Sequence, residues 1–313
     1  MSSAFYEQII KIFNVFERLF MQCFFRGLIV LCFSIQVLFG KDISEIDFFD
    51  AMQRTIDYDE WYMKGNEQWR FMETLFKDYQ KDQLHESKNY IIPPLIHFIW
   101  LGSSLPIRSQ VMIETWKRFH TDWIIKIWTE ADLKWFPMKN REIFDHAKNF
   151  GEKADIWRYE ILLRYGGLYV DCDFECLKSF NHMHKSCEFY AGLYHGRDPE
   201  LANGLIGCIP GHPILKLCVD SLKMSSSTDD VSGRIISQTG PAHFTRCFWT
   251  IARLSKKGLV PFPAAFFYAF PYHSRNATRD RSLIKSTWIL PESYALHYWD
   301  VSWLANGAEL MQK

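Results

Sequence analysis

The chain has 313 residues, and its 36 basic and 36 acidic side chains leave a formal net charge of zero. That length suffices for one large domain or two modest ones. With 48% hydrophobic and 23% charged residues it is not a disordered chain, and the charge balance argues against nucleic-acid binding through a global basic field. Aromatic residues make up 17%, with 26 Phe, which points to a membrane contact, to stacking on a flat ligand, or to both.

Residues 19–40 read LFMQCFFRGLIVLCFSIQVLFG, apolar apart from Gln22, Arg26, Ser34 and Gln36. A spanning helix needs about 20 such residues, and Arg26 lies near enough to one end to snorkel. The segment reads as a signal anchor, with a cleaved signal and a buried core helix as the alternatives. Lys11, Arg18 and Arg26 precede its uncharged part, whereas Asp42, Glu45, Asp47 and Asp50 follow it. The positive side is the cytoplasmic one, so the expected protein is a single-pass type II membrane protein. Its body would face a Golgi-like lumen in a eukaryote, or be membrane-bound or exported in a bacterium.

The chain divides into the tail and apolar segment (1–43), a polar, Trp-rich helical stem or set of covering helices (44–90) and a main domain (91–313). The break at Pro93-Pro94 precedes a buried strand, LIHFIWLG (95–102), and WIIKIWT (123–129) is a second strand. Thr129 to Asp132 resembles a capping box. A helix over 152–165 stops at Gly166-Gly167, where a left-handed cap favours glycine. LYVDCDFECL (168–177) is the next strand, after which strand-like EFYAGLY and GLIGCI accompany helical HPILKLCVDSL and AHFTRCFWTIARL. This alternation predicts an α/β sandwich with a mixed, largely parallel sheet, whose ligands bind beyond the carboxyl ends of the strands. Eight Cys are present. None forms a C-x-x-C pair, and Cys172, Cys176, Cys187, Cys208, Cys218 and Cys247 show no zinc-like spacing. Asn276-Ala277-Thr278 is a glycosylation sequon, compatible with a lumenal body.

The strongest chemical signal is Asp171-Cys172-Asp173. On a strand Tyr169, Asp171 and Asp173 share one face, and two converging carboxylates suit Mg²⁺ or Mn²⁺. A second D-x-D, Asp57-Tyr58-Asp59, has no preceding strand and reads as a solvated helix face. Upstream, Asp155 and Arg158 stand three apart on one helix and face the same side. They suit a surface salt bridge, or a sugar-hydroxyl acceptor beside a cation.

The run A-D-x-x-R-Y-x-x-L-x-x-Y-G-G-L-Y-x-D-x-D resembles the sugar-binding region of glycosyltransferase family 32, which includes α-1,6-mannosyltransferases and is distantly similar to the large clostridial glucosylating toxins. Three further segments agree in order: IIPPLIHFIWLG (91–102), Thr239-Gly240-Pro241, and HYWDVSW (297–303); the match loosens after Ser186. The resemblance implies a GT-A-like nucleotide-sugar-binding fold, Mn²⁺ or Mg²⁺, and a UDP- or GDP-hexose donor. It further implies that Trp100 stacks on the base and that Asp155 and Arg158 hold the donor sugar. Tyr169 would line the nucleotide pocket, Asp171 would contact ribose or metal, and Asp173 would bind metal. Asn203 would lie near sugar and acceptor, His297 would complete the metal shell, and Ser302 and Trp303 would cover the diphosphate. His97 is left as structural. The implied activity is a retaining, metal-dependent hexosyl transfer to a glycan, lipid or protein acceptor. The alternatives are an exported effector that glycosylates a host protein, and an inactive membrane-anchored sugar-binding protein.

Overall fold

A computed structural model describes residues 42–53, 60–82, 87–194, 196–224 and 231–300. The main sheet has six strands in the order β2-β1-β3-β6-β5-β7. These are β1 (Leu95–Ile99), β2 (Ile124–Trp128), β3 (Gly167–Val170), β5 (Phe189–Leu193), β6 (Leu201–Cys208) and β7 (Leu259–Phe262). β1 runs parallel to β2 and β3, and β5 parallel to β7, while β6 is antiparallel to both of its neighbours. The expected mixed, largely parallel sheet is therefore present.

Local chemistry explains why the chain takes this route. β1, β3, β5, β6 and β7 are buried almost throughout, as strands covered by helices on both faces must be. Pro213 and Pro241 occupy the first turn of the helices Pro213–Asp220 and Pro241–Ala252, where a missing N–H costs nothing. The helix Phe150–Tyr165 starts at Asn149, whose side chain accepts from the amides of Gly151 and Glu152. It ends at Gly166, whose φ is 62°. Gly167 follows at φ 89°, and a β-carbon there would stand 2.4 Å from the Leu95 carbonyl oxygen. Only glycine lets β3 begin this close to β1. The Asp132 carboxylate accepts from the Thr129 amide at 2.9 Å, as the capping pattern predicts.

The 44–90 region supplies covering helices. The helix Glu67–Asp82 buries Trp69, Met72, Leu75, Phe76 and Tyr79, and Phe76 meets Phe262 of β7 and Phe266 edge-on. The helix Phe48–Gln53 adds Phe48, Phe49 and Met52 to the same core cluster. Gln80 ties the helix Glu67–Asp82 to the turn that precedes the helix Phe48–Gln53 by donating to the carbonyls of Ile43 and Ile46.

Two expectations are corrected. The expected strand over 168–177 breaks in the middle: β3 ends at Val170, Asp171–Asp173 form a turn closed by Phe174 N–H to Asp171 O at 3.2 Å, and the chain leaves the main sheet. It continues as β4 (Phe174–Cys176), which pairs antiparallel with β8 (Ala295–His297) in a separate two-stranded sheet, Phe174 opposite His297. The single-pass type II membrane protein is also corrected: among the described residues no helix is long and apolar enough to cross a membrane. Residues 19–40, on which that expectation and the membrane partner rested, lie outside the described residues, as does Asp57-Tyr58-Asp59.

Candidate functional site

The site lies where β1 and β3 end and antiparallel β6 begins, the carboxyl-end location expected of an α/β sheet. The buried helix Phe150–Tyr165 brings Asp155 and Arg158 to it, with Arg158 Nη2 3.1 Å from Asp155 Oδ1. The sequence left a surface salt bridge open for this pair; both side chains are instead almost fully buried. Asp155 accepts from Asn203 Nδ2 at 2.8 Å and from Thr239 Oγ1 at 3.1 Å. Arg158 donates through Nη1 to the Asn203 carbonyl at 2.6 Å, and its guanidinium lies 4.4 Å above the Tyr169 ring centroid. Arg158 Nη1 is also 3.4 Å from Asp171 Oδ1.

The Asp171–Asp173 turn is held at both ends. Asp171 N–H donates to the Gly204 carbonyl at 2.8 Å, Tyr169 OH donates to Asp171 Oδ1 at 2.7 Å, and Cys172 Sγ donates to the Ile99 carbonyl at 3.5 Å. Asp173 lies 2.9 Å through Oδ1 from His297 Nε2, and its Oδ2 accepts from the Asp300 amide at 2.9 Å. The β4–β8 pairing makes that contact possible, because it sets His297 beside the turn across 124 residues of chain. His297 stacks on Phe174, with ring centroids 4.3 Å apart. Asp300 is anchored by Arg108 Nη2 at 2.7 Å.

Charge in this buried setting shifts protonation in opposite directions. Burial pushes the Asp155 carboxyl up to about 6, against the opposing Arg158 charge. Burial also raises Asp171, again against Arg158, and the neighbouring Asp173 charge adds to the rise. Burial acts the same way on Asp173, but His297 and the Asp300 amide outweigh it and bring that carboxyl below its ordinary value. Asp300 is raised to about 6 by burial and by the Asp173 charge, with Arg108 opposing. Carboxylates converge here in excess of the nearby cations.

That excess bears on whether a metal fits. One ligand atom each from Asp171, Asp173 and His297 lies within 4.8 Å of the others. Asp171 Oδ1 is engaged by Tyr169 and Arg158, Oδ2 lies beside Gly204 of β6, and Nδ1 of the buried His297 has no hydrogen-bond partner among the described residues. Two hard carboxylates and one imidazole are a fitting donor set for Mn²⁺ or Mg²⁺.

Asp155, Arg158, Tyr169, Asp171 and Asn203 thus form one bonded network, joined at Asp171 to the Asp173–His297 group. Trp100 stands apart from it. It follows β1, half-buried, with its indole N–H toward Ser103 Oγ at 3.3 Å. Tyr169 is fully buried beneath Arg158 and presents no open ring face. Ser302 and Trp303 lie outside the described residues. His97 is structural: it lies 2.9 Å through Nε2 from the Gly166 carbonyl and accepts from the Trp128 indole at 3.1 Å. Burial lowers it to about 4, opposed by the Gly166 hydrogen bond. Sequence reasoning missed Thr239, Asp300 and Gly204 as participants. Thr239 and Asp300 sit inside the Thr-Gly-Pro and HYWDVSW segments, so an acid or hydroxyl within a matched motif was the available signal.

Residues 106–190 match the family model described as "Glycosyltransferase sugar-binding region containing DXD motif". Among similar proteins, inositol phosphoceramide mannosyltransferase 3 of Schizosaccharomyces pombe is 25% identical over 150 residues, covering 46% of this chain and 41% of its own. Mannosyl phosphorylinositol ceramide synthase SUR1 of Saccharomyces cerevisiae is 28% identical over 144 residues, covering 44% and 36%. The chain therefore spans about half or less of the length of these relatives. The UDP-bound glycosyltransferase domain of the YGT toxin overlays 55% of this chain and 80% of its own at 9% identity and a TM-score of 0.44. The resemblance seen in the motifs holds at the level of the DXD-containing glycosyltransferase sugar-binding region, which this chain matches over residues 106–190.

Proposed function

We propose that this chain is a retaining, metal-dependent hexosyltransferase that takes its sugar from a nucleotide-diphosphate donor. The observation that carries the reading is the joined network. A buried Asp155–Arg158–Asn203 group suited to sugar hydroxyls meets, at Asp171, a carboxylate–imidazole group suited to a diphosphate-bound cation. Relatives whose names include mannosyltransferase favour mannose as the sugar, and inositol phosphoceramide as a model for the acceptor among glycans, lipids and proteins.

Bound Mn²⁺ or Mg²⁺, held by Asp171, Asp173 and His297, would supply positive charge against the leaving diphosphate. The rest falls to the chain. Asp155, already accepting from Asn203 and Thr239, takes a donor-sugar hydroxyl. Arg158, held by the carbonyls of Ala154 and Asn203 and by Asp155 and Asp171, acts as a fixed cation that orients both carboxylates beneath the glycosidic oxygen. Trp100, at the end of the neighbouring strand, offers its half-exposed ring to the base. Ser302 and Trp303 would close over the diphosphate. In the transfer, the bond from the anomeric carbon to the phosphate oxygen breaks and its electron pair leaves with the diphosphate. The acceptor oxygen then bonds to the same face, and its proton passes to the departing phosphate.

A hydrolysis screen over UDP- and GDP-hexoses with Mn²⁺ or Mg²⁺ tests this. We expect turnover of one donor class that requires metal and is abolished by Asp171→Asn and by Asp173→Asn. Metal-dependent hydrolysis that persists in both variants refutes the site. Binding of nucleotide sugar without any turnover would support the inactive sugar-binding alternative.

A further inference from the structure

A second group of ligand-forming side chains assembles away from the carboxylates. His243 and Cys247 stand four residues apart on the helix Pro241–Ala252 and so share one face. Cys218 reaches them from the helix Pro213–Asp220. All three are buried, and one ligand atom from each lies within 4.8 Å of the others. His243 Nε2 is 3.9 Å from Cys247 Sγ and 3.1 Å from the Cys218 carbonyl oxygen, and Ser221 Oγ is 3.6 Å from Cys247 Sγ. A tetrahedral cation with sulfur and imidazole bonds of about 2.3 and 2.0 Å needs its nitrogen and sulfur roughly 3.5 Å apart. Small side-chain rotations close that gap once His243 Nε2 gives up its hydrogen bond to the Cys218 carbonyl and the ring proton moves to Nδ1.

The cluster opens onto a cavity of about 540 Å³ that His243, Cys247, Ser221 and Gln238 help to line. Gln238 Oε1, on the same wall, is buried without a hydrogen-bond partner among the described residues, which gives a water in this cavity a polar neighbour. We propose that Cys218, His243 and Cys247 bind a zinc-class transition metal, with a cavity water in the fourth position. Two thiolates and an imidazole are a soft set, unlike the oxygen-rich set at Asp171 and Asp173, so the two sites select different ions. Binding releases the thiol protons to solvent.

The position suggests what such a metal does. It would clasp two helices, the second of which starts directly after Thr239-Gly240, and Thr239 bonds Asp155. Tyr159 lies between clasp and site: its ring stacks on Phe244 and its hydroxyl donates to the Thr239 carbonyl at 2.7 Å. The clasp therefore stands one layer behind the residues assigned to the sugar.

The test is metal analysis of the full chain, purified with zinc present and then dialysed against metal-free buffer. About one zinc per chain is expected. Asp171→Asn/Asp173→Asn should retain it and Cys218→Ser/Cys247→Ser should lose it. Cobalt substitution of the wild-type protein gives a readout that needs no variant to fold, with a thiolate-to-cobalt charge-transfer band and tetrahedral d–d bands expected. A zinc-free wild-type chain lacking those bands, or a Cys218–Cys247 disulfide found by peptide mass spectrometry in the folded protein, overturns the site.

Discussion

Gly204 offers a sharp test of the carboxylate site. It sits in β6 directly across from the Asp171 turn, and a β-carbon added there would meet Asp171 Oδ2 at 2.6 Å, Asp171 Cγ at 3.3 Å and Phe174 at 3.4 Å. A carbon–oxygen contact relaxes at about 3.4 Å, so Gly204→Ala must push that carboxylate aside by roughly 0.8 Å. Gly204 is not among the positive-φ glycines, so alanine is compatible with the backbone, and the displaced atom is a side-chain terminus. The fold should therefore tolerate the change, with a cost of about 1–3 kcal/mol as for other overpacking. The site should not. Metal ligands need to stand within about 0.2 Å of their places, and an error near 1 Å costs on the order of 100-fold in rate. We expect Gly204→Ala to lower kcat/KM for metal-dependent donor hydrolysis about 100-fold. Calorimetry should show weaker Mn²⁺ binding, and circular dichroism a native fold. A folded variant with wild-type metal affinity and turnover would mean that Asp171 Oδ2 is not used, and the proposed ligand set would fall.

Three further outcomes follow from the same geometry. Asp155 is fully buried with its carboxyl raised from 3.8 to about 6, so the folded state holds its proton more tightly than the unfolded chain. The resulting penalty is absent below pH 3.8, grows as pH rises and is complete above about 6, where it amounts to about 3 kcal/mol. Asp155→Asn should thus gain on the wild type by up to that amount between pH 4 and 7.5 in urea unfolding, and a stability difference that does not change with pH refutes the assignment. His297→Gln should weaken Mn²⁺ affinity at least about tenfold, read by calorimetry, and an unchanged affinity would remove His297 from the donor set. Arg158→Lys keeps a charge but loses the planar fork that reaches Asn203, Asp155 and Asp171 together. A fall of about 100-fold in kcat/KM is expected, whereas Arg158→Ala, which leaves buried Asp155 facing the partly exposed Asp171, should also cost about 3 kcal/mol in thermal unfolding. Activity of the lysine variant near the wild-type level would show that charge alone suffices.

How far the sequence could be read depends on the range of the contacts. The helix-to-strand turn at Gly166-Gly167 was legible because positive φ and close backbone approach are local demands that only glycine meets. The pairing of Asp155 with Arg158 was legible because helical spacing fixes it. Their burial was not, since it depends on Asn203 and Thr239 arriving from 48 and 84 residues away. Alternation along 168–177 grouped Tyr169, Asp171 and Asp173, yet the chain turns at Cys172 because β4 finds β8 as its partner rather than continuing in the main sheet. Strand periodicity carries no information about such a change of partner. The cysteines show the same limit. Spacing rules look for ligand pairs close in sequence, and His243-x-x-x-Cys247 is one on a helix, but Cys218 joins only once two helices pack. Asp300 shows the same dependence on contacts distant in sequence. Its amide holds Asp173 and its side chain meets Arg108, so the last described residue of the HYWDVSW segment ties the helix Ile107–Phe119 to the Asp171–Asp173 turn. Loosening Arg108 should then act on Asp173 through Asp300, two contacts away, since the segment contacts the turn through both His297 and Asp300.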